Sequence, residues 1–256
     1  MKKKFLSTIF VLIIFTSICA CSIGVNVVKE TSKEQNIDEN EKIGQQHLEI
    51  KIEKEDISDI ENGKTFQEIK YPVITCNNNL LQKLLDDTNK FFKESSEEFK
   101  YLNKNEIRNL IAETSDENSM YYHDIDASVN YQSQNYLSIV TNTQVFTMGA
   151  HGTTTINGYN YDILNKKLLK LDDFIKDKEE LRKYLKDWIS QQDDDMFFEW
   201  ANETVDDYLD KDEFELQYYI NEGVLTVVFQ QYDIAPYAVG IIEVPIDKEL
   251  LKVDIN

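Results

Sequence analysis

Tyr121-Tyr122-His123-Asp124-Ile125-Asp126-Ala127-Ser128-Val129-Asn130-Tyr131 alternates without a break. Tyr121, His123, Ile125, Ala127, Val129 and Tyr131 share one face, while Tyr122, Asp124, Asp126, Ser128 and Asn130 share the other. A period of two with one apolar face marks a strand laid on a core. A polar turn at Gln132 to Asn135 follows, and Tyr136 to Phe146 returns as the hairpin partner. After Met148-Gly149-Ala150-His151-Gly152, Thr153 to Ile163 supplies a third strand before the turn at Asn165-Lys166. This centre predicts an antiparallel meander.

Upstream, Leu48, Ile50 and Ile52 alternate with Glu49, Lys51 and Glu53, and a second strand follows Gly63 through Tyr71-Pro72-Val73-Ile74. Asn77 to Asn79 offer an N-cap for a helix in which Leu81, Leu85, Thr88, Phe92, Ser95 and Phe99 recur at helical spacing. A second, short helix is expected over Lys104 to Glu113. Downstream, Asp177 caps a helix with Glu180 at N3 and an apolar stripe of Leu181, Tyr184, Leu185 and Trp188. A further helix is expected over Asp194 to Leu209, carrying Met196, Phe197, Trp200 and Val205. Strands close the chain at Phe214 to Ile220, Val224 to Gln230 and Val239 to Val244. The fold class read from this pattern is α+β: antiparallel sheets with packed helices, in two consecutive αβ modules, 48–164 and 165–256.

The other end of the chain reads as an address. Lys2, Lys3 and Lys4 precede the apolar run Phe5 to Ile18, and then come Cys19, Ala20 and Cys21. That is a secretory signal over residues 1–20. Ile18-Cys19-Ala20-Cys21 looks like a bacterial lipobox, which makes Cys21 the lipidated first residue, anchored in a bilayer with the remainder on the extracellular face. Residues 21–47 are polar and charged without an aromatic residue, the composition of a flexible tether.

The chain of 256 residues carries 27 Lys and Arg against 47 Asp and Glu, a formal charge of -20. Such a surface repels nucleic acid, which is excluded as a partner, and steers a cationic one inward. Cys76 has no partner once Cys19 leaves and Cys21 is acylated, and reads as a small buried residue. No metalloprotease, nucleophile-elbow, dinucleotide or phosphate-loop motif occurs, so no catalytic residue, cofactor or metal is expected. Asp124 and Asp126 share a strand face, an unspecific pairing of carboxylates. His123, on the apolar face, reads as a core histidine donating to a backbone carbonyl. His151 sits among Gly149 and Gly152, either as the tie of a strand-to-strand corner or as a binding or catalytic group. Tyr232-Asp233-Ile234-Ala235-Pro236-Tyr237 reads either as a buried turn or as an aromatic contact surface.

Met148-Gly149-Ala150-His151-Gly152, Tyr159-Asn160-Tyr161-Asp162, Leu171-Asp172-Asp173-Phe174 and the stretch Phe229 to Gly240 together resemble the extracellular domain pair of the RsiV-type family. Tyr71-Pro72 followed by the helix from Leu80 to Phe99 fits the same pattern, so the resemblance covers about residues 48 to 250. Its members include the outer half of a lysozyme-sensing membrane anti-sigma factor, the region ahead of the catalytic domain in some peptidoglycan deacetylases, and stand-alone lipoproteins of Gram-positive bacteria. Only Met1 to Lys4 precede the apolar run and the sequence stops at Asn256, so neither a sigma-binding nor a deacetylase domain is expected. The resemblance implies a recognition surface, for a cationic protein such as lysozyme or for peptidoglycan. Its candidate residues are His151, Tyr232, Asp233 and Tyr237. The rival readings are an envelope assembly factor without enzymatic activity and, behind it, a wall hydrolase using His151.

Overall fold

The computed structural model describes residues 48–61, 64–113, 121–147, 149–193, 196–211 and 216–255. The leader 1–20, Cys21 and the tether 21–47 lie outside the described residues. The fold is α+β, with helices packed on antiparallel-rich sheets.

The first half contains β1 (Ile50–Asp56), β2 (Asp59–Glu61), β3 (Lys64–Cys76), α1 (Asn79–Glu113), β4 (Tyr121–Gln132), β5 (Tyr136–Phe146), β6 (Thr153–Asp162) and β7 (Lys167–Leu168). Among the described residues these seven strands form one sheet in the order β1-β3-β4-β5-β6-β7, with β2 on β3. β4, β5 and β6 make the expected antiparallel meander, with Ile125 opposite Thr143 and Ile139 opposite Tyr159. β3 and β4 instead run parallel, Gln67 beside Tyr121, because α1 carries the chain back across the sheet before β4 begins.

Asn78 Oδ1 accepts from the Leu80 and Leu81 N–H groups and starts α1. Leu81, Leu85, Thr88, Phe92, Ser96 and Ile107 are its buried positions, a helical stripe laid over the sheet. The two expected helices are one. Lys100 to Asn103 contains neither Pro nor Gly, so helix propagates through the point where the stripe lapses and Tyr101 and Leu102 face solvent. Lys100 Nζ donates to Ile57 O at 2.6 Å and Lys104 pairs with Asp59 at 3.3 Å, which ties this section to the β1–β2 corner.

The polar residues of the stripe have partners. The Thr88 hydroxyl lies 2.6 Å from that of Tyr161, and Ser96 Oγ lies 3.3 Å from His123 Nδ1. His123 is buried and stacked on Phe99 at 4.9 Å, as a core residue, with a side-chain hydroxyl rather than a backbone carbonyl as its partner. Burial holds its ring down at about 4, against the pull of Asp124. Lys54 reaches both strand-face carboxylates, 2.5 Å from Asp124 and 2.6 Å from Asp126, which joins the two in one ion-pair network. Cys76 is half-buried with its Sγ 3.2 Å from Asn78 O.

The second half holds α2 (Lys178–Ser190), α3 (Ala201–Asp210), β8 (Gln217–Asn221), β9 (Val224–Phe229) and β10 (Ile242–Pro245). The strands form a second antiparallel sheet, β10-β9-β8. Asp177 Oδ1 caps α2 through the Glu179 and Glu180 N–H groups, as its position predicts. Leu181, Leu185 and Ile189 from α2 meet Ala201, Val205 and Leu209 from α3 over Ile220, Val227 and Phe229. Arg182 links the helices outside this core, 2.7 Å from Asp206 and 2.6 Å from Asp210, so Asp206 is part of an ion-pair network and not only solvated surface. α3 begins later than the expected Asp194, and the last strand later than Val239 because Gly240 at φ 85° turns the chain first.

The two sheets meet at a polar joint. A bulge between Val129 and Tyr131 shifts the β4–β5 register, so Tyr131 pairs with Ser138 where Val129 pairs with Ile139. That extra residue moves Tyr131 off the first core face and onto the second core, against strict alternation. On the same side, Asn160 Nδ2 donates to Tyr218 O at 3.0 Å and Ser138 Oγ accepts from Ile220 N at 3.0 Å. Side chains of the first sheet thereby satisfy the outward backbone groups of edge strand β8. Gly158 makes this approach possible, since a Cβ there would fall 1.8 Å from Tyr218 O. Among the described residues no helix is long and apolar enough to cross a membrane.

Candidate functional site

His151 lies in the β5–β6 connection, and Tyr232 and Tyr237 lie in the segment between β9 and β10. The joint brings them together. The His151 ring stacks on Tyr237 with centroids 3.8 Å apart, and Tyr232 stands 6.3 Å from His151 and 5.7 Å from Tyr237. His151 is exposed, Tyr237 half-buried, and Tyr232 is 48% exposed. Gly152 O accepts from the Tyr237 hydroxyl at 3.1 Å and lies 3.0 Å from His151 Nδ1. A carbonyl can only accept, so Nδ1 carries the ring proton and Nε2 is left to accept from the Tyr232 hydroxyl at 3.2 Å.

The chain builds this cluster from a strained turn. Tyr232 has φ 70°, a left-handed conformation that a bulky side chain adopts only under constraint. The constraint comes from both sides of the residue. Gln230 Oε1 accepts from Ile156 N at 2.9 Å while its Nε2 donates to Ile156 O at 2.7 Å, and Gln231 Oε1 accepts from Thr154 N at 2.8 Å. Two glutamine amides thus pair with the free edge of β6 as a neighbouring strand would. Behind Tyr232, Ile234 and Ala235 are buried and anchor the turn in the second core.

Asp233 separates from the other three candidates. Its Oδ2 accepts from Gln230 N at 2.7 Å, closing the turn. Burial pushes this carboxyl above the ordinary carboxylate range, opposed by the Gln230 N–H and the Tyr208 hydroxyl. No hydrogen bond joins it to His151 among the described residues. The sequence candidates therefore resolve into an exposed three-ring cluster and one turn-forming acid.

Two further ring pairs stand outside this cluster. Tyr122 and Phe146, cross-strand partners, stack at 5.7 Å beside Gly152, where a Cβ would come 3.0 Å from the Tyr122 hydroxyl. Phe198 and Trp200 stack at 4.5 Å and 15° just before α3. Trp200, expected on an apolar helix stripe, is 51% exposed. Its place in the sequence signals this: Ala201, Val205 and Leu209 carry the buried period, and Trp200 falls one residue outside it.

Residues 59–154 match the family model described as Deacetylase PdaC, and residues 166–249 match that of a protein of unknown function, DUF3298. His151 falls in the first matched stretch, and Tyr232 and Tyr237 in the second. No curated protein matches the chain. Solved structures share the fold, two of them from the DUF3298 family. A DUF3298 family member from Bacteroides fragilis has a TM-score of 0.56 at 22% identity, covering 81% of this chain and 94% of that one. A DUF3298 family protein from Pseudomonas aeruginosa has a TM-score of 0.52 at 15% identity, covering 83% and 98%. The matches support a domain family of the DUF3298/PdaC type, with a PdaC-type stretch followed by a DUF3298-type stretch.

Proposed function

We propose that this chain is a surface lipoprotein, held at the membrane through acylated Cys21, whose folded part binds a cell-envelope ligand through His151, Tyr232 and Tyr237. The observation that carries the reading is the exposed His151–Tyr237 stack with Tyr232 beside it. Three rings, His151 and Tyr232 exposed and Tyr237 half-buried, are fixed in place by Gly152 and by a left-handed turn. Preorganised aromatic side chains lose little freedom on binding and suit the faces of sugar rings or the side chains of a protein partner. The formal charge of -20 favours a cationic partner such as lysozyme, and the aromatic faces favour peptidoglycan.

The same geometry supports binding over catalysis. Both ring nitrogens of His151 are engaged by Gly152 and Tyr232, and Asp233, the acid among the candidate residues, serves the turn. An assembly role without a small ligand is the second reading, favoured by Tyr101 and Leu102 on α1, 79% and 59% exposed.

The test is calorimetric titration of the full chain with C-type lysozyme, with an unrelated protein of similar basicity, and with peptidoglycan fragments, at physiological salt. Asn tolerates positive φ, so Tyr232→Asn removes a ring while leaving the turn in place. Binding of lysozyme or of the fragments, weakened about tenfold by Tyr232→Asn, is the expected result. Equal binding of both basic proteins, unaffected by the substitution, would reduce the attraction to net charge alone.

A further inference from the structure

The end of the chain folds back on the loop ahead of α2. Ile175 and Leu251 form an antiparallel bridge, in which Lys176 N donates to Leu250 O at 2.9 Å and Lys252 N to Phe174 O at 2.8 Å. Backbone carbonyls then hold both lysine side chains. Lys176 Nζ donates to Glu249 O at 2.9 Å, and Lys252 Nζ to Asp172 O at 2.6 Å. Both residues line a cleft of about 470 Å³ together with Lys248, and the one acid in its lining is Asp254. Leu251, Val253 and Ile255 supply an apolar wall. Other lysines of this half are committed to acids, Lys167 to Asp173 at 2.5 Å and Lys186 to Asp206 at 2.6 Å. Lys176, Lys248 and Lys252 form no ion pair among the described residues. Asp173 feels the charge of Lys252, but its carboxylate is taken up by Lys167. An ammonium that spends one N–H on a carbonyl keeps two donors for a ligand.

We propose that this cleft binds a phosphomonoester group through Lys176, Lys248 and Lys252, independently of the His151 cluster. Three lysines against one aspartate leave the lining with a formal charge of +2, inside a chain whose total is -20. A phosphomonoester carries about -1.5 to -2 at neutral pH and three acceptor oxygens, which matches that charge and the several N–H donors around it. A carboxylate brings a single charge and leaves the lysines partly uncompensated. The volume suits a small ligand, within the roughly 300 to 1,000 Å³ of such sites. A long anionic polymer is disfavoured, because the acidic surface beyond the cleft repels it. The same group occurs on small soluble esters and on lipid headgroups, and the apolar wall distinguishes them: it adds affinity only for a ligand that carries an acyl chain.

The experiment is an amide NMR titration of the full chain at pH 7 with glycerol 3-phosphate, with acetate and with dihexanoyl phosphatidic acid. Glycerol 3-phosphate is expected to shift Gly223 and residues 251–255 in a saturable way, and acetate to shift them at least tenfold more weakly. Lys176→Gln with Lys252→Gln is expected to weaken phosphate binding about tenfold, and Lys248→Gln about threefold. Lys248 makes no side-chain hydrogen bond among the described residues, so its substitution stays informative if the paired one loosens the end of the chain. Dihexanoyl phosphatidic acid binding tenfold tighter than glycerol 3-phosphate would support the site with a lipid source, and equal affinity would support it with a soluble one. The proposal is overturned if phosphate leaves 251–255 unshifted, or moves Lys90 and Lys93 on α1 as much. Acetate binding as well as phosphate, or wild-type affinity in both variants, would overturn it too. The rings at His151 take no part in any of these readings, so either site can fail alone.

Discussion

His123 is the residue whose environment makes the sharpest solution prediction. Its folded ring is held at about 4, below the ordinary value of 6.5, because burial against Phe99 disfavours the charged form. A depressed folded value means that the unfolded chain binds the proton first. The contribution is fully present above pH 6.5 and is lost as pH falls from there toward 4, with a limit of roughly 3 kcal/mol. Denaturant unfolding at pH 7 and pH 5 is expected to show this loss, and His123→Phe to flatten the slope between them. A slope unchanged in the variant would assign the acid sensitivity to other groups. Gly158 gives a second residue-scale prediction. The Cβ of Gly158→Ala would overlap Tyr218 O, a backbone atom that cannot rotate away, so the substitution should cost about 3 kcal/mol and lower the urea midpoint. A midpoint within error of wild type would mean that the two sheets can separate freely.

At the scale of elements, β6 shows how an exposed edge is finished without another strand. Gln230 pairs with both backbone groups of Ile156, and Gln231 takes Thr154 N–H. Gln230→Leu, similar in size but without the amide, should destabilise by about 1 to 2 kcal/mol and speed amide exchange at Ile156. Unchanged exchange there would show that the amide pairing is dispensable. The regular elements were legible because their periods were clean: β4, β5, the capped α2 and the buried stripe of α1 each appear in the residue pattern. Departures from that pattern came from contacts distant in sequence. The lapse at Lys100 to Asn103 imitates a helix end until Ile57 and Asp59 are seen to hold the helix there. The bulge before Tyr131 leaves the alternation of residue types intact and changes only what each face meets. The parallel β3–β4 pairing depends on where α1 delivers the chain, which no local signal encodes.

For the whole molecule, the decisive feature is that each half supplies part of one surface. His151 comes from the connection between β5 and β6, and Tyr232 and Tyr237 from the segment between β9 and β10. Sequence singled out all three residues, through local glycine and proline punctuation and aromatic content. It did not foresee the exposure of Trp200, which depends on which turn of α3 is buried, nor that the Asp233 carboxylate accepts from Gln230 N and closes the turn. The polar joint at Ser138, Gly158 and Asn160 holds the two sheets together, so the proposed binding role predicts that ligand affinity depends on the joint as well as on the rings. The most direct test of the surface is hydrogen–deuterium exchange of the full chain, free and in the presence of C-type lysozyme or peptidoglycan fragments. The account predicts protection concentrated at 149–156 and 230–240 with one of these ligands. Protection confined to α1 around Tyr101 and Leu102, or no protection with either ligand, would contradict it.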